Sequence, residues 1–220
     1  VGDPVLEGVA LKEQAFISNM QKNISQAKTL ANQALALLQQ MDHAAVSGRR
    51  LHAISTCTQI VGDSRAQRTA FGEVLGRARQ EGDELLEGVM LGKLAKLQVQ
   101  DGQIDAARSG LEQAIRIAKT YRSLEREAMA TSNLASLNLA GNRLEAALKG
   151  NARALALNQH LGYAYGHYLE HGNRGEILIA MGRLSEAKPH LQTAISSESI
   201  GLAVWAFRGL LAWIDGQAEG

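Results

Sequence analysis

Aromatic side chains make up only 4% of this 220-residue chain, proline occurs twice, at Pro4 and Pro189, and Cys57 is the one cysteine. A lone cysteine excludes an internal disulfide, and it accords with a reducing, cytoplasmic setting. With so few aromatics, the core must come largely from alanine and leucine, the side chains of closely packed helices. Scarce proline leaves helix formation almost uninterrupted. Neither sign of charge is in excess, since 23 basic and 22 acidic residues leave a net charge of +1. That balance offers no footprint for nucleic acid. No stretch approaches the roughly 18 apolar residues that would span a bilayer, so no membrane contact is expected. The chain opens on Val1-Gly2-Asp3-Pro4, without an initiator methionine or a signal-like apolar run, and it is read as a piece of a larger protein.

Chemistry-bearing signatures are equally thin. Neither Gly-x-Gly-x-x-Gly nor a Walker-type loop occurs, so no phosphate cradle, no cofactor and no enzyme activity are expected. His167 and His171 stand at i and i+4, a spacing that can hold a metal, but no third ligand is evident and no metal is expected. Cys57 lies among Ile54, Ile60 and Val61, the setting of a buried and inert thiol. Tyr163, Tyr165 and Tyr168 cluster at the start of one helix. Packing is the preferred reading for them, and an aromatic anchor for a partner is the alternative.

What the chain does have is a repeat. Ala107, Ala147 and Ala187 follow one another at steps of forty residues, each closing a Gly-containing segment that begins at Gly102, Gly141 or Gly182. Ala95, Ala135 and Gly175 keep the same step twelve residues earlier, and Ala114, Ala154 and Ala194 keep it seven residues later. Small residues at these positions let two helix axes approach within the usual distance of about 8–10 Å. The glycine before each second helix is expected to take the positive φ of a tight turn. Ser55, Gly62, Phe71, Val74 and Leu75 extend the pattern upstream, with Gln67 in place of the alanine, and Ala15, Ala27, Ala31, Ala34 and Leu35 extend it again. Downstream, Gly182 to Gly216 is 34 residues, which places Trp205 and Gly209 in register and suggests a shorter last step.

This arrangement resembles the tetratricopeptide repeat, in a long form of about forty residues. The fold implied is all-α, a right-handed superhelical solenoid of antiparallel helix pairs. A single repeat domain over residues 1–220 is expected, with pairs near 5–41, 44–81, 84–120, 123–160 and 163–198 and an unpaired helix at 200–214. First helices would run near 5–20, 44–60, 84–100, 123–140 and 163–180, and second helices near 24–40, 64–80, 104–120, 143–159 and 184–197.

The resemblance further implies a protein- or peptide-binding module whose first helices line a concave groove. Lys93, Lys96, Asn133, Ser136, Asn173 and Glu176 would project into it, together with Arg49, His52, Thr56 and Gln59 from an earlier repeat. Asn133 and Asn173 share one repeat position, held by Lys93 in the repeat before, and an amide can pair with an extended peptide backbone. Alternatively, each binds within its own helix layer. The clamp by which chaperone-binding members hold a terminal carboxylate cannot be assembled, since Thr56, Lys96 and Ser136 stand where its first Asn would recur. Trp205, Phe207, Leu210 and Trp213 belong to a last helix that is apolar all round, which points to a next repeat or a homo-oligomer contact. The preferred function is the sensor or scaffold part of a bacterial signalling or regulatory protein. The alternatives are a structural oligomerisation or spacer domain, and a domain that senses a small ligand or peptide.

Overall fold

The computed structural model describes residues 3–39, 48–62, 64–196 and 203–218. Among the described residues there are eleven helices and no strand. They are α1 (Pro4–Met20), α2 (Ile24–Gln39), α3 (Gly48–Val61), α4 (Ser64–Glu81), α5 (Glu84–Gln100), α6 (Ile104–Thr120), α7 (Leu124–Ala140), α8 (Leu144–His160), α9 (Ala164–Ala180), α10 (Leu184–Ile195) and α11 (Ala203–Ala218). Two compact units are formed, Val1–Leu97 and Gln98–Gly220. In the first, α1 packs on α2 and α3, α2 on α3, and α3 on α4, while α4 meets α5 through Phe71, Val74, Met90 and Leu97. In the second, each helix from α6 to α11 packs on the next, and α9 also touches α7 and α11.

The forty-residue step is a packing rule. Ala95 and Ala135 are buried, as are Ala107, Ala147, Ala187, Ala114, Ala154 and Ala194. At Gly175 a Cβ would lie 2.5 Å from Leu191 Cδ2, so this position of α9 accepts hydrogen alone against α10. The upstream members obey the same rule, with Ala15, Ala27, Ala31, Ala34, Ser55 and Val74 fully buried. Gln67, the departure, donates its amide Nε2 to the Thr58 carbonyl at 3.2 Å and so ties α4 to α3 by a hydrogen bond. These side chains bury little area each, and the stability of such a core comes from close approach repeated many times.

Turns between helices are nearly uniform. After α5, α7 and α9 the chain closes with paired backbone bonds, Gln103 N to Gln98 O, Arg143 N to Asn138 O and Arg183 N to Leu178 O, each 2.8 Å. Such a turn needs one residue in the left-handed region. Gly102 and Gly182 supply it at φ +75° and +74°. Gly141 does not, since its φ is −88° and Asn142 carries the positive φ of 54° instead. The expectation for Gly141 is therefore corrected by one residue. Asn tolerates the left-handed region because its short amide bonds locally.

The C-terminal end differs from its sequence reading. Helix α11 runs on to Ala218, through Gly216, so that glycine ends no helix and the 34-residue step marks no turn. Among the described residues Gly209 meets no neighbour within 4 Å of a built Cβ. Phe207 docks on α9 at Gly172, where a Cβ would stand 2.0 Å from its ring. Residues 40, 44–47, 197 and 200–202 of the expected helices lie outside the described residues, as do the side chains of Arg49 and His52. No helix among the described residues is long and apolar enough to cross a membrane.

Candidate functional site

In the first unit, Lys93 on α5 is half-buried. Its ammonium donates to Gln59 Oε1 at 3.1 Å and lies 5.3 Å from the centre of the Phe71 ring. Burial holds its pKa below the ordinary lysine value. This lysine thus closes over a buried aromatic ring and braces α5 against α3 and α4, a cation–π contact of about 0.5–2 kcal/mol. Lys96, one turn on, is exposed.

The second unit brings Ser136, Asn173 and Glu176 together. A pocket of about 230 Å³ opens between α7 and α9, lined by Ala135, Ser136, Leu139 and Ala140 on one side and Asn173, Glu176 and Ile177 on the other. Its walls follow from the repeat, because Ala135 and Ala140 are too short to fill the space between two long first helices. Asn133 does not line the pocket. It is exposed on α7, as is Met129 one turn earlier. Glu176 is half-buried, and burial alone pushes its carboxyl above the usual range. Ser136 Oγ gives its proton to the Ser132 carbonyl at 3.2 Å.

Behind the pocket lies a polar cluster that the sequence reading did not single out. Glu170 is 1% exposed. Its carboxylate accepts from Ser132 Oγ, from Asn151 Nδ2 at 2.8 Å and from Asn173. Asn151 Nδ2 also reaches the Glu170 carbonyl at 2.9 Å. Burial raises the pKa of Glu170, and the three hydrogen bonds oppose that rise. A buried carboxylate is tolerated only where such donors surround it. The signal was present in the forty-residue step. Asn151 stands where Leu111 and Leu191 stand, and Glu170 where Met90 and Ala130 stand. Two polar departures that meet in space are one feature. Glu87 and Glu127, which share one repeat position, are also buried, and each has its own partner: Glu87 accepts from Arg79 Nε at 2.8 Å and Glu127 from Arg153 Nε at 3.0 Å.

The other candidates fall outside this face. His171 Nδ1 lies 2.9 Å from His190 Nδ1 on α10, and the His167 and His171 rings are 4.7 Å apart. Burial, then the His167, His190 and Arg174 charges, lowers the pKa of His171 to about 4. Among the described residues no three His, Cys, Asp or Glu side chains are grouped to hold a metal. Cys57 is fully buried, and burial pushes its thiol up to about 11, against a smaller opposing effect of Lys12. Tyr168 packs into the core of the second unit, whereas Tyr163 and Tyr165 are exposed with ring centres 5.9 Å apart. Phe207 is buried in the core and Leu210 packs against it, while Trp205 is 68% and Trp213 48% exposed.

Solved structures of other proteins share this architecture. A signal-transduction ATPase from Pyrococcus horikoshii with a tetratricopeptide-repeat sensor matches at a TM-score of 0.72 and 16% identity, over 99% of this chain and 34% of that one. The fold is that of tetratricopeptide-repeat proteins. A thermophilic tetratricopeptide-repeat protein of Thermus thermophilus matches at 0.64 and 17% identity, over 94% and 99% of the two chains. Kinesin light chain nearly identical repeats from Podospora anserina match at 0.66 and 16%, over 89% and 96%. No family model matches the sequence, and no curated protein matches it either. In the repeat fold the face between α7 and α9 belongs to two successive first helices, the elements from which Asn133, Ser136, Asn173 and Glu176 project.

Proposed function

We propose that the chain is a protein-interaction module of one repeat array, without catalytic activity, that binds an extended segment of a partner polypeptide along the face of α7 and α9. The observation that carries the reading is the set of groups on that face with no partner of their own. Asn133 and the Glu176 carboxylate make no side-chain hydrogen bond among the described residues, and both border exposed apolar surface at Met129 and the pocket. Polar groups left open beside a concavity suit main-chain recognition of a peptide. Lys93, engaged with Gln59 and Phe71, is better read as a brace than as a contact, and Lys96 is a rim residue.

The test is a selection from a displayed random-peptide library on the immobilised chain. Peptides should be retained by the native protein and lost from an Asn133→Ala/Ala140→Arg variant that keeps its helical circular dichroism. If the native chain retains no peptide, or the variant retains them all, the reading fails. The likeness to a sensor-bearing signalling ATPase supports a sensor or scaffold role within a larger cytoplasmic signalling protein. A second reading rests on Trp205 and Trp213, which present two large rings to solvent on α11 and suit self-association. A concentration-independent monomer in sedimentation equilibrium would remove it.

A further inference from the structure

The polar groups of the pocket share one property, which is that all of them accept. Glu176 contributes a carboxylate. Asn173 hydrogen-bonds to the Glu170 carboxylate, which can only accept when ionised, so one of its two amide N–H donors is engaged and its carbonyl oxygen is available to accept. The Ser136 hydroxyl donates its hydrogen bond to the Ser132 carbonyl and keeps its lone pairs. The remaining walls, Ala135, Leu139 and Ile177, are apolar. We propose that this pocket receives a primary ammonium on an alkyl stem, the side chain of a lysine in the bound segment.

The chemistry matches in each part. An ammonium has three donors and no acceptor, and the pocket presents three kinds of acceptor against one remaining donor, the second N–H of Asn173. The four-carbon stem of lysine covers apolar surface while its charge seeks water or a counter-ion. Glu176 is half-buried with no basic side chain hydrogen-bonded to it, so the face carries a negative charge that a cationic ligand would neutralise. Burial raises the carboxyl's pKa, and no neighbouring cation among the described residues opposes that rise. The buried Glu170–Asn151–Ser132 cluster then has a purpose beyond packing, because it fixes which end of the Asn173 amide faces the pocket.

The inference rests on the α7–α9 face being a binding surface, and its test is separable from that reading. The probe is n-butylammonium, titrated into 15N-labelled full chain and followed at the Asn173 side-chain amide and the Ser136 backbone amide. N-butylacetamide, of similar shape and without charge, is the control. Saturable shifts with the ammonium alone are expected. Glu176→Gln, a conservative change on a half-exposed side chain, should weaken binding about tenfold or more, the size expected on losing a hydrogen bond to a charged group. Equal response to both probes, no response to the ammonium, or undiminished binding by Glu176→Gln would overturn the proposal. Peptides selected as above should share a lysine that Glu176→Gln no longer selects. Retained peptides without such a lysine would leave the interaction module standing and overturn the pocket's assignment. Ammonium binding without any retained peptide would support the pocket and overturn the module.

Discussion

Ser55 occupies the small position of the second repeat, held elsewhere by Ala15, Ala95, Ala135 and Gly175. It is fully buried, and its hydroxyl has no hydrogen-bond partner among the described residues. A buried polar atom without a partner costs about 1 kcal/mol or more. Ser55→Ala should therefore raise the unfolding free energy by about 1 kcal/mol, read as a higher urea midpoint at unchanged slope; a lower midpoint would show that the hydroxyl has a partner. His171 carries a pH dependence of definite sign. Its folded pKa of about 4 lies below the ordinary 6.5, so the unfolded chain binds the proton first. Stability from this group is present above pH 6.5 and is lost as pH falls from there toward 4. His167 and Arg174 face it from α9, and His190, with Glu186 beside it, from α10. The raised carboxyls of Glu170 and Glu176 act in the opposite sense, so the contribution is isolated by comparison with His171→Asn. That variant should lose less stability between pH 7 and pH 4.5 in urea titrations.

At the scale of the helix, docking is governed by where a Cβ is forbidden. Gly172 is the seat of Phe207 and through it holds α11 on α9. Gly172→Ala would force a ring aside in a filled core, at a cost of about 1–3 kcal/mol, and α11 should show faster amide exchange than in the native chain. Gly76, in the interior of α4, has nothing within 4 Å of a built Cβ. There Gly76→Ala should stabilise by about 1 kcal/mol from helix propensity alone. If the two substitutions had the same sign, the docking account of Gly172 would fall. Helix ends tell a related story. Gly102 and Gly182 were legible as turn residues because glycine is the usual occupant of that conformation, whereas Gly141 misled, since the neighbouring Asn142 could adopt it too.

For the whole chain, stability in a stack should be close to a sum over neighbouring helices. Within the second unit amide exchange is therefore expected to be graded, slower in α7 to α9 than in α11; uniform protection would argue for a single cooperative block. The architecture was legible in the sequence because close approach demands small residues, and Ala95, Ala135 and Gly175 repeat that demand where nothing else would. The candidate site was less so. Ser136, Asn173 and Glu176 are placed by register, but the space between them exists because Ala135 and Ala140 do not fill it, and an absence of volume leaves no motif. Glu170 and Asn151 looked like two unrelated breaks in pattern until their contact explained both. The turn after α6 has Tyr121 as its last helical cap and Arg122 at φ 54°, and the turn after α8 has Leu161 and Gly162 at φ 62°. Excising residues 121–160 would splice Thr120 onto Leu161 and thus replace one corner with its equivalent. Such like-with-like joints let a whole module be removed with the turn intact, but this excision also takes away Ser132 and Asn151, so the shortened chain should need an apolar residue in place of the buried Glu170.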